Sequence, residues 1–380
     1  MCNNKIMKKI GIFGGTFDPV HNEHVNIATH AVEELGLDLL FIMPTFLPPH
    51  KTETPLDPKH RINMLELAFK DYDKIKVSDY EIEKQGKSYT YLTVEHFKNL
   101  YPDSELYFIV GGDMLTDFKT WKNPDRILKA SNLAVFSREN FLCDYKLEEE
   151  YFKKTFSKTF IKLNYLGKDF SATKVRVYFS LGLDVSNDIP RAVLEYIEKN
   201  KLYDGGIACD FVKNVLTKKR LIHTANVAVT ALKKAKELGL DKEKVFISCV
   251  LHDCAKYLDP KDFKGFKLDK DMPKPVVHAF LGAFVVENVL KIKDKEIIDA
   301  IRYHTTGKAN MSNLARLIFL ADMVEIGRDY DGVEYLRDLY EKDFDLCFKE
   351  ALKEEVIHLK NKGEEIYFET LNALEYYTKN

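Results

Sequence analysis

The stretch Gly11–His24, GIFGGTFDPVHNEH, decides the fold of the first half of the chain. A hydrophobic run from Ile10 to Phe13 ends in Gly14 and Gly15, a Thr-Phe-Asp-Pro turn follows, and His21 and His24 open an apolar-periodic stretch. The order reads as strand, phosphate-binding turn and helix N-terminus. Glycines without a Cβ let backbone N–H groups approach a bulky anion, and the helix dipole adds partial positive charge at the same place. At spacing i, i+3 the two histidines share a helix face, where ring N–H groups can donate to phosphate oxygens without ligating a metal.

The 380 residues suffice for two or three domains, and 45% hydrophobic with 31% charged residues describes a globular protein with a sizeable core. A formal net charge of −2 gives no global electrostatic case for nucleic acid as a partner. The six cysteines are scattered without a Cys-x-x-Cys pair, which argues against a zinc ribbon or disulfide framework and for a reduced, cytoplasmic setting. Cys249 and Cys254, which flank His252-Asp253, read as small buried thiols. The N-terminus does not read as a signal peptide, and no run reaches the roughly 20 apolar residues of a membrane span.

Working outward, His21–Leu35 reads as a helix ended by Gly36, and Leu39–Met43 as a buried parallel strand. Pro44–Lys51 is a stiff proline-rich loop ending in His50 and Lys51, and Asp57-Pro58 caps a helix over Lys59–Lys70. Ile75–Ser78 is a short strand, and Thr90 is placed to cap the next helix. Leu106–Val110 is a strand ending at Gly111-Gly112-Asp113, the end at which open α/β sheets bind nucleotides. Trp121, the one tryptophan, follows in FKTWK. Leu133–Ser137 and Phe160–Asn164 are further strands around an exposed charged helix, Asp144–Lys158. Ser171-Ala172-Thr173-Lys174-Val175-Arg176 then starts a helix whose hydroxyls and N–H groups suit a triphosphate, and Pro190 starts a last helix. Alternating strands and helices predict a doubly wound parallel sheet.

The first motif resembles the nucleotidylyltransferase signature GGTFDPxHxGH, departing from it at Glu23, which stands where the signature has Gly. A second motif, FSATKVR, resembles I-S-S-T-x-[IV]-R, with Phe170 and Ala172 as mild departures. Together with PPHK, SYT and the Trp121 position they resemble bacterial nicotinate mononucleotide adenylyltransferases. That resemblance implies a Rossmann-like fold and adenylyl transfer from ATP to nicotinate mononucleotide, with Mg²⁺ accompanying ATP. It assigns Gly14, Gly15, Thr16, Phe17, Gly111, Asp113, Ser171 and Thr173 to ATP. His21, His24 and Arg176 become the catalytic groups, and His50, Lys51, Thr90, Tyr91, Trp121 and Lys122 the acceptor's contacts. Asp113 suits the vicinal hydroxyls of a ribose.

Asp204-Gly205-Gly206 marks a boundary, giving domains 1–203 and 204–380. Beyond it the pattern is helical: Phe211–Lys218, Leu221–Leu238, Lys242–Lys256 and Leu314–Val324, with a charged amphipathic tail over Tyr330–Asn380. His223, His252-Asp253 and Asp322 come from different helices and make a divalent-metal set of the kind suited to Fe or Mn. These residues resemble the H…HD…D signature of HD-domain phosphohydrolases. KKRLIH, LHDCAK, VHAFLGA, RYHTTG and LADMVEIGR resemble the bacterial YqeK group, which cleaves diadenosine tetraphosphate symmetrically to two ADP. The resemblance implies His223, His252, Asp253 and Asp322 as metal ligands, with Asp253 also catalytic. It sets Arg220, Lys256, His278, His304, Thr305 and Arg328 against the nucleotide. For His278 and His304 a second metal is the alternative. For the whole helical half, the alternative to a hydrolase is a nucleotide-binding regulatory or dimerisation module; a homo-oligomer is compatible with the sequence. A third reading, another acceptor such as phosphopantetheine, conflicts with Thr90 and Trp121.

Overall fold

The computed structural model describes residues 8–47, 55–139, 141, 143–168 and 170–379. They form two compact units: residues 1–175 with 185–202, and residues 176–184 with 203–380. This differs from a single cut at 203/204 in the segment 176–184.

The first unit is built on six strands: β1 (Lys9–Gly15), β2 (Leu39–Pro44), β3 (Ile75–Val77), β4 (Glu105–Gly111), β5 (Asn132–Arg138) and β6 (Ile161–Gly167). They form one sheet in the order β3-β2-β1-β4-β5-β6 with every pairing parallel. The Rossmann-like doubly wound sheet expected from the alternation of elements is therefore present. The inner strands are apolar runs because both faces are covered: Ile10, Ile12, Leu40, Ile42, Leu133 and Val135 are at most 1% exposed. Gly11 is needed for packing, since a Cβ there would stand 2.6 Å from Leu37 Cδ1.

The helix Asn22–Leu35 follows β1, with His21 as its N-cap and Gly36 in the left-handed region at its C-cap. Asp57 caps Pro58–Phe69 through Lys59 N–H. Thr90 does not cap its helix: Tyr89 holds the extended cap position, and Thr90 is the first helical residue. The charged helix Tyr145–Phe156 is exposed on most sides but buries Phe152 completely.

The second unit is all-helical, as the periodicity predicted, but its helix bounds differ. Its first helix after residue 203 runs Gly206–Val215 rather than Phe211–Lys218, followed by Lys218–Ala235 and Lys242–Leu251. The expected third helix ends early, and His252 is its C-cap. Lys274–Asn288, Lys295–Arg302 and Asn313–Val324 complete the region around the histidines. The tail is three helices, Val333–Lys342, Phe344–Asn361 and Phe368–Lys379. One continuous apolar core joins these helices and includes Val177, Leu181 and Leu183. Among the described residues no helix is long and apolar enough to cross a membrane.

Candidate active sites

In the first unit β1 and β4 are neighbours, and the strand order reverses between them. Their C-terminal ends carry Gly14-Gly15 and Gly111, the place where doubly wound sheets bind nucleotides. Gly15 lacks a Cβ for a packing reason: one would stand 2.8 Å from the Phe17 ring. Phe17 is 2% exposed, has φ 50°, and packs edge-on to Phe13 and His24, so its ring is core. Arg61, fully buried, clamps the turn from below by donating to the carbonyls of Thr16, Thr45 and Leu56.

His21 and His24 lie together, rings stacked with centroids 3.6 Å apart. His24 Nδ1 accepts the His21 backbone N–H at 3.2 Å, which leaves the His24 ring proton on Nε2. Burial, with Arg138 adding to it, pushes His21 down to about 3, and burial with the His21 and Arg138 charges keeps His24 well below its ordinary value. Both rings are therefore neutral at pH 7. His21 Nδ1 is buried with no hydrogen-bond partner, as a group awaiting a ligand would be. The second motif reaches the same place, because the Phe170 ring meets His21 edge-on at 5.0 Å. Ser171 Oγ accepts Lys174 N–H at 3.3 Å at the start of its helix.

Asp113 follows the end of β4, with Oδ1 buried and unpaired and Oδ2 3.6 Å from Arg138. Arg138, at the end of β5, was not singled out from the sequence; its signal was a basic residue closing an apolar strand. Trp121 leans on Phe118 and Phe108 and is partly exposed. The Lys122 ammonium sits 4.5 Å from the Tyr89 ring and the Arg126 guanidinium 4.4 Å from the Tyr91 ring, which brings the Thr90-Tyr91 and Trp121-Lys122 segments side by side. Thr16 lends its carbonyl to Arg61. Thr173 and Arg176 lie on the helix Ala172–Ser180. His50 and Lys51 lie outside the described residues.

Glu23 does not crowd the glycine turn. It is 6% exposed and turns toward β6, accepting Tyr165 O–H at 2.8 Å and Lys168 N–H at 3.0 Å.

In the second unit the four candidate ligands converge. His223 Nε2 is 2.9 Å from Asp322 Oδ1, 3.3 Å from His252 Nε2 and 4.0 Å from Asp253 Oδ2. The tautomers follow from the partners. His252 Nδ1 lies 2.6 Å from the Cys249 carbonyl, which can only accept, so Nδ1 carries the proton and Nε2 presents a lone pair. His223 Nδ1 faces Glu325 Oε1 at 3.0 Å, which orients the ring with Nε2 toward the cluster. Glu325, 3% exposed, lies within LADMVEIGR three residues after Asp322, but its role as the partner of His223 shows only in the fold. Burial pushes His252 down to about 3. Burial opposes ionisation of Asp322, but His223 and Arg328 outweigh it and hold the carboxyl well below its usual range. Lone pairs and carboxylates packed this closely suit a divalent cation.

Cationic groups ring the cluster. Arg220 Nη1 is 2.7 Å from Asp253 Oδ2, Lys256 Nζ 3.6 Å from Asp253 Oδ1, and Arg328 pairs with Asp322. Beside it opens a cleft of about 300 Å³ lined by Thr305, Asp322, Arg328, Tyr330, Glu355 and His358, among others. Thr305 Oγ1 is buried and unpaired. Burial first, then the Asp322 charge, raises the Glu355 carboxyl. Glu355 and His358 come from the tail helix Phe344–Asn361, which the sequence presented only as an amphipathic charged segment.

Residues 12–177 match the cytidylyltransferase-like family and residues 220–327 the HD domain family. A probable nicotinate-nucleotide adenylyltransferase of Clostridium tetani is 42% identical over 199 residues, which are 52% of this chain and 100% of the relative. A probable nicotinate-nucleotide adenylyltransferase/Ap4A hydrolase of Mycoplasma genitalium is 33% identical over 326 residues, 84% of this chain and 88% of the relative. Among solved structures, a predicted HD superfamily hydrolase involved in NAD metabolism from Clostridium acetobutylicum is 29% identical with a TM-score of 0.42, covering 45% of this chain and 94% of that one. The two family matches fall in the order of the two sites, one relative spans both, and the chain belongs to the nicotinate-nucleotide adenylyltransferases joined to an HD-domain hydrolase.

Proposed function

We propose that the first unit adenylylates nicotinate mononucleotide and that the helical unit splits diadenosine tetraphosphate into two ADP. The observation that supports the reading is that the two motifs of the first unit meet at His21 and Phe170, and His223, His252, Asp253 and Asp322 meet in the second unit, each place holding a buried polar atom without a partner, His21 Nδ1 and Asp253 Oδ1.

In the first reaction an oxygen of the mononucleotide phosphate bonds to the α-phosphorus of ATP, and the bond to the bridging oxygen breaks, releasing pyrophosphate. No covalent enzyme intermediate is needed; the protein aligns the partners and stabilises the departing charge. Neutral His21 and His24 do this by donating N–H bonds rather than by carrying charge. Asp113 takes the ribose hydroxyls, Ser171 and Thr173 the triphosphate, and Mg²⁺ travels with ATP. Thr90, Tyr91, Trp121 and Lys122 frame the pyridine ring of the acceptor.

In the second reaction a water oxygen bonds to a phosphorus of the substrate, and the bond to the bridging oxygen breaks to leave ADP on both sides. A divalent ion on His223, His252, Asp253 and Asp322, of the Fe or Mn class, supplies Lewis acidity there. Glu325 fixes the His223 ring, and the Cys249 carbonyl fixes the His252 ring. Arg220, Lys256 and Arg328 bind phosphates, and the acid-lined cleft accepts hydrogen bonds from a neutral nucleoside.

A paired assay on the purified chain tests both halves. ATP with nicotinate mononucleotide releases pyrophosphate, and diadenosine tetraphosphate with Mn²⁺ or Fe²⁺ releases ADP. His21→Ala should cut the first rate about 100-fold or more and spare the second; Asp253→Ala should do the reverse. Transfer without metal-dependent ADP release sinks the hydrolase and leaves a nucleotide-binding module.

A further inference from the structure

We infer that Arg61 is a positioning residue for adenylyl transfer: one guanidinium holds both the peptide group that turns its N–H to ATP and the peptide group that braces the acceptor's segment. The inference rests on the reaction proposed for the first unit and adds a residue outside its motifs.

Arg61 lies in the first turn of the helix Pro58–Phe69 and is fully buried. Its Nη1 donates to two carbonyls, Thr16 at 2.9 Å and Thr45 at 2.8 Å, and its Nε to Leu56 at 2.9 Å. Three stretches are thereby fixed on one side chain: the turn after β1, the end of β2 and the entry to the helix. Two further bonds close the frame. Thr45 N–H donates to the Gly15 carbonyl at 2.9 Å, and Leu56 N–H to Asp18 Oδ2 at 3.3 Å.

Each bond also acts on the far side of its peptide group. Across a trans peptide bond the N–H points opposite to the C=O. A hydrogen bond on the Thr16 carbonyl therefore turns the Phe17 N–H away from Arg61. Phe17 is 2% exposed, and among the described residues no acceptor meets its N–H. A buried donor without a partner, in the turn proposed to hold ATP, suits a phosphate oxygen. Phe17 also keeps φ 50°, which a residue with a Cβ adopts only where its surroundings hold it. On the far side of the Thr45 carbonyl, the Phe46 N–H donates to Ser88 Oγ at 3.0 Å, and Ser88 N–H returns to the Leu47 carbonyl at 3.0 Å. Ser88 directly precedes Tyr89, Thr90 and Tyr91, which lie beside Trp121-Lys122.

The groups that meet ATP and those that frame the acceptor thus share one anchor. Loss of that anchor misaligns the two reactants, which lowers turnover more than the binding of either. Lysine keeps the charge but not the planar fork, so it cannot span the three carbonyls as arginine does.

The experiment labels threonine carbonyls with ¹³C and phenylalanine nitrogens with ¹⁵N in the full chain. The sequence holds four Thr-Phe pairs, at 16–17, 45–46, 155–156 and 159–160, so a carbonyl–amide correlation NMR spectrum shows four signals. Arg61 touches the first two pairs. In the unmutated chain, ATP with Mg²⁺ should move the Phe17 amide and leave the last two signals in place; an unmoved Phe17 amide overturns the inference without any variant. Arg61→Lys should displace the first two signals only, cut kcat for pyrophosphate release about 100-fold, and change KM for ATP and for nicotinate mononucleotide by less than about threefold. Arg61→Met, with no donor, should lose more turnover than Arg61→Lys. Displacement of all four signals in Arg61→Lys marks a merely structural residue and overturns the inference, as does an unchanged kcat. An unmutated chain that releases no pyrophosphate sinks the adenylyltransferase reading itself, whereas an active chain indifferent to Arg61→Lys sinks this inference alone.

Discussion

Glu23 shows what a single departure from a motif can mean. In the sequence it is a charged residue standing where the motif has a glycine. In the fold it is an anchor between the start of the first helix and the end of β6. Glu23→Ala leaves the Lys168 N–H and Tyr165 O–H without their acceptor, at a cost of about 1–3 kcal/mol. Trp121 lies in the first unit and is the one tryptophan, so its fluorescence should report a lower urea midpoint for that unit. An unchanged midpoint refutes the anchor. Glu81 makes a pH prediction. Burial raises its carboxyl above the ordinary 4.5, against the Thr93 hydroxyl it accepts at 2.5 Å. The fold thus prefers the protonated form. The stability from this group is full below pH 4.5 and is lost as pH rises through the folded value. Glu81→Gln should raise the melting temperature at pH 7, with the gain vanishing toward pH 4.5. Neither role was legible beforehand, because both depend on partners from other elements.

Element ends were legible where a side chain makes them and obscure where the backbone does. Asp57 and Pro190 stand before their helices as start signals. The helix Gly206–Val215 was placed too late because its cap is Gly205 at φ 74°, which reads as linker. Lys274–Asn288 went unread: PVVHAFLGAFVV is apolar on every side, so no stripe marks a period. His278 sits within it, which is why its place beside Asp253 needed the structure. Asp241 offers a test at this scale. Its carboxylate caps Lys242–Leu251 by accepting Glu243 and Lys244 N–H at 2.8 and 3.1 Å, and that helix delivers His252-Asp253. Asp241→Ala should cost the helical unit about 1–2 kcal/mol by thermal melting. Loss of ADP release with no change in stability would mean the cap does more than hold the helix.

At the scale of the molecule, each unit has its own apolar core, and the metal set belongs to the second. Saturating Mn²⁺ should stabilise the helical unit, by about 2.7 kcal/mol at 100 times the dissociation constant, and leave the Trp121 transition in place. Calorimetry with fluorescence checks this; a shift of the Trp121 transition contradicts it. The two-part architecture was legible because both motif sets are dense and local. The segment 176–184 was not, since nothing in FSATKVRVYFSLG says which core its apolar side chains enter.

That segment bears on how such a gene could be divided. Val177, Leu181 and Leu183 belong to the helical core, and the Tyr178 hydroxyl donates to Asn226 at 2.6 Å, while residues 185–202 return to the first unit. A stop codon after residue 203 would strand those apolar side chains, and a start codon at 204 would leave a gap in the other product. Fission into two working cistrons would need the segment rebuilt in one and replaced in the other. The polypeptide passes between the two units three times, at 175/176, 184/185 and 202/203, a barrier to separation that a single tether would not impose.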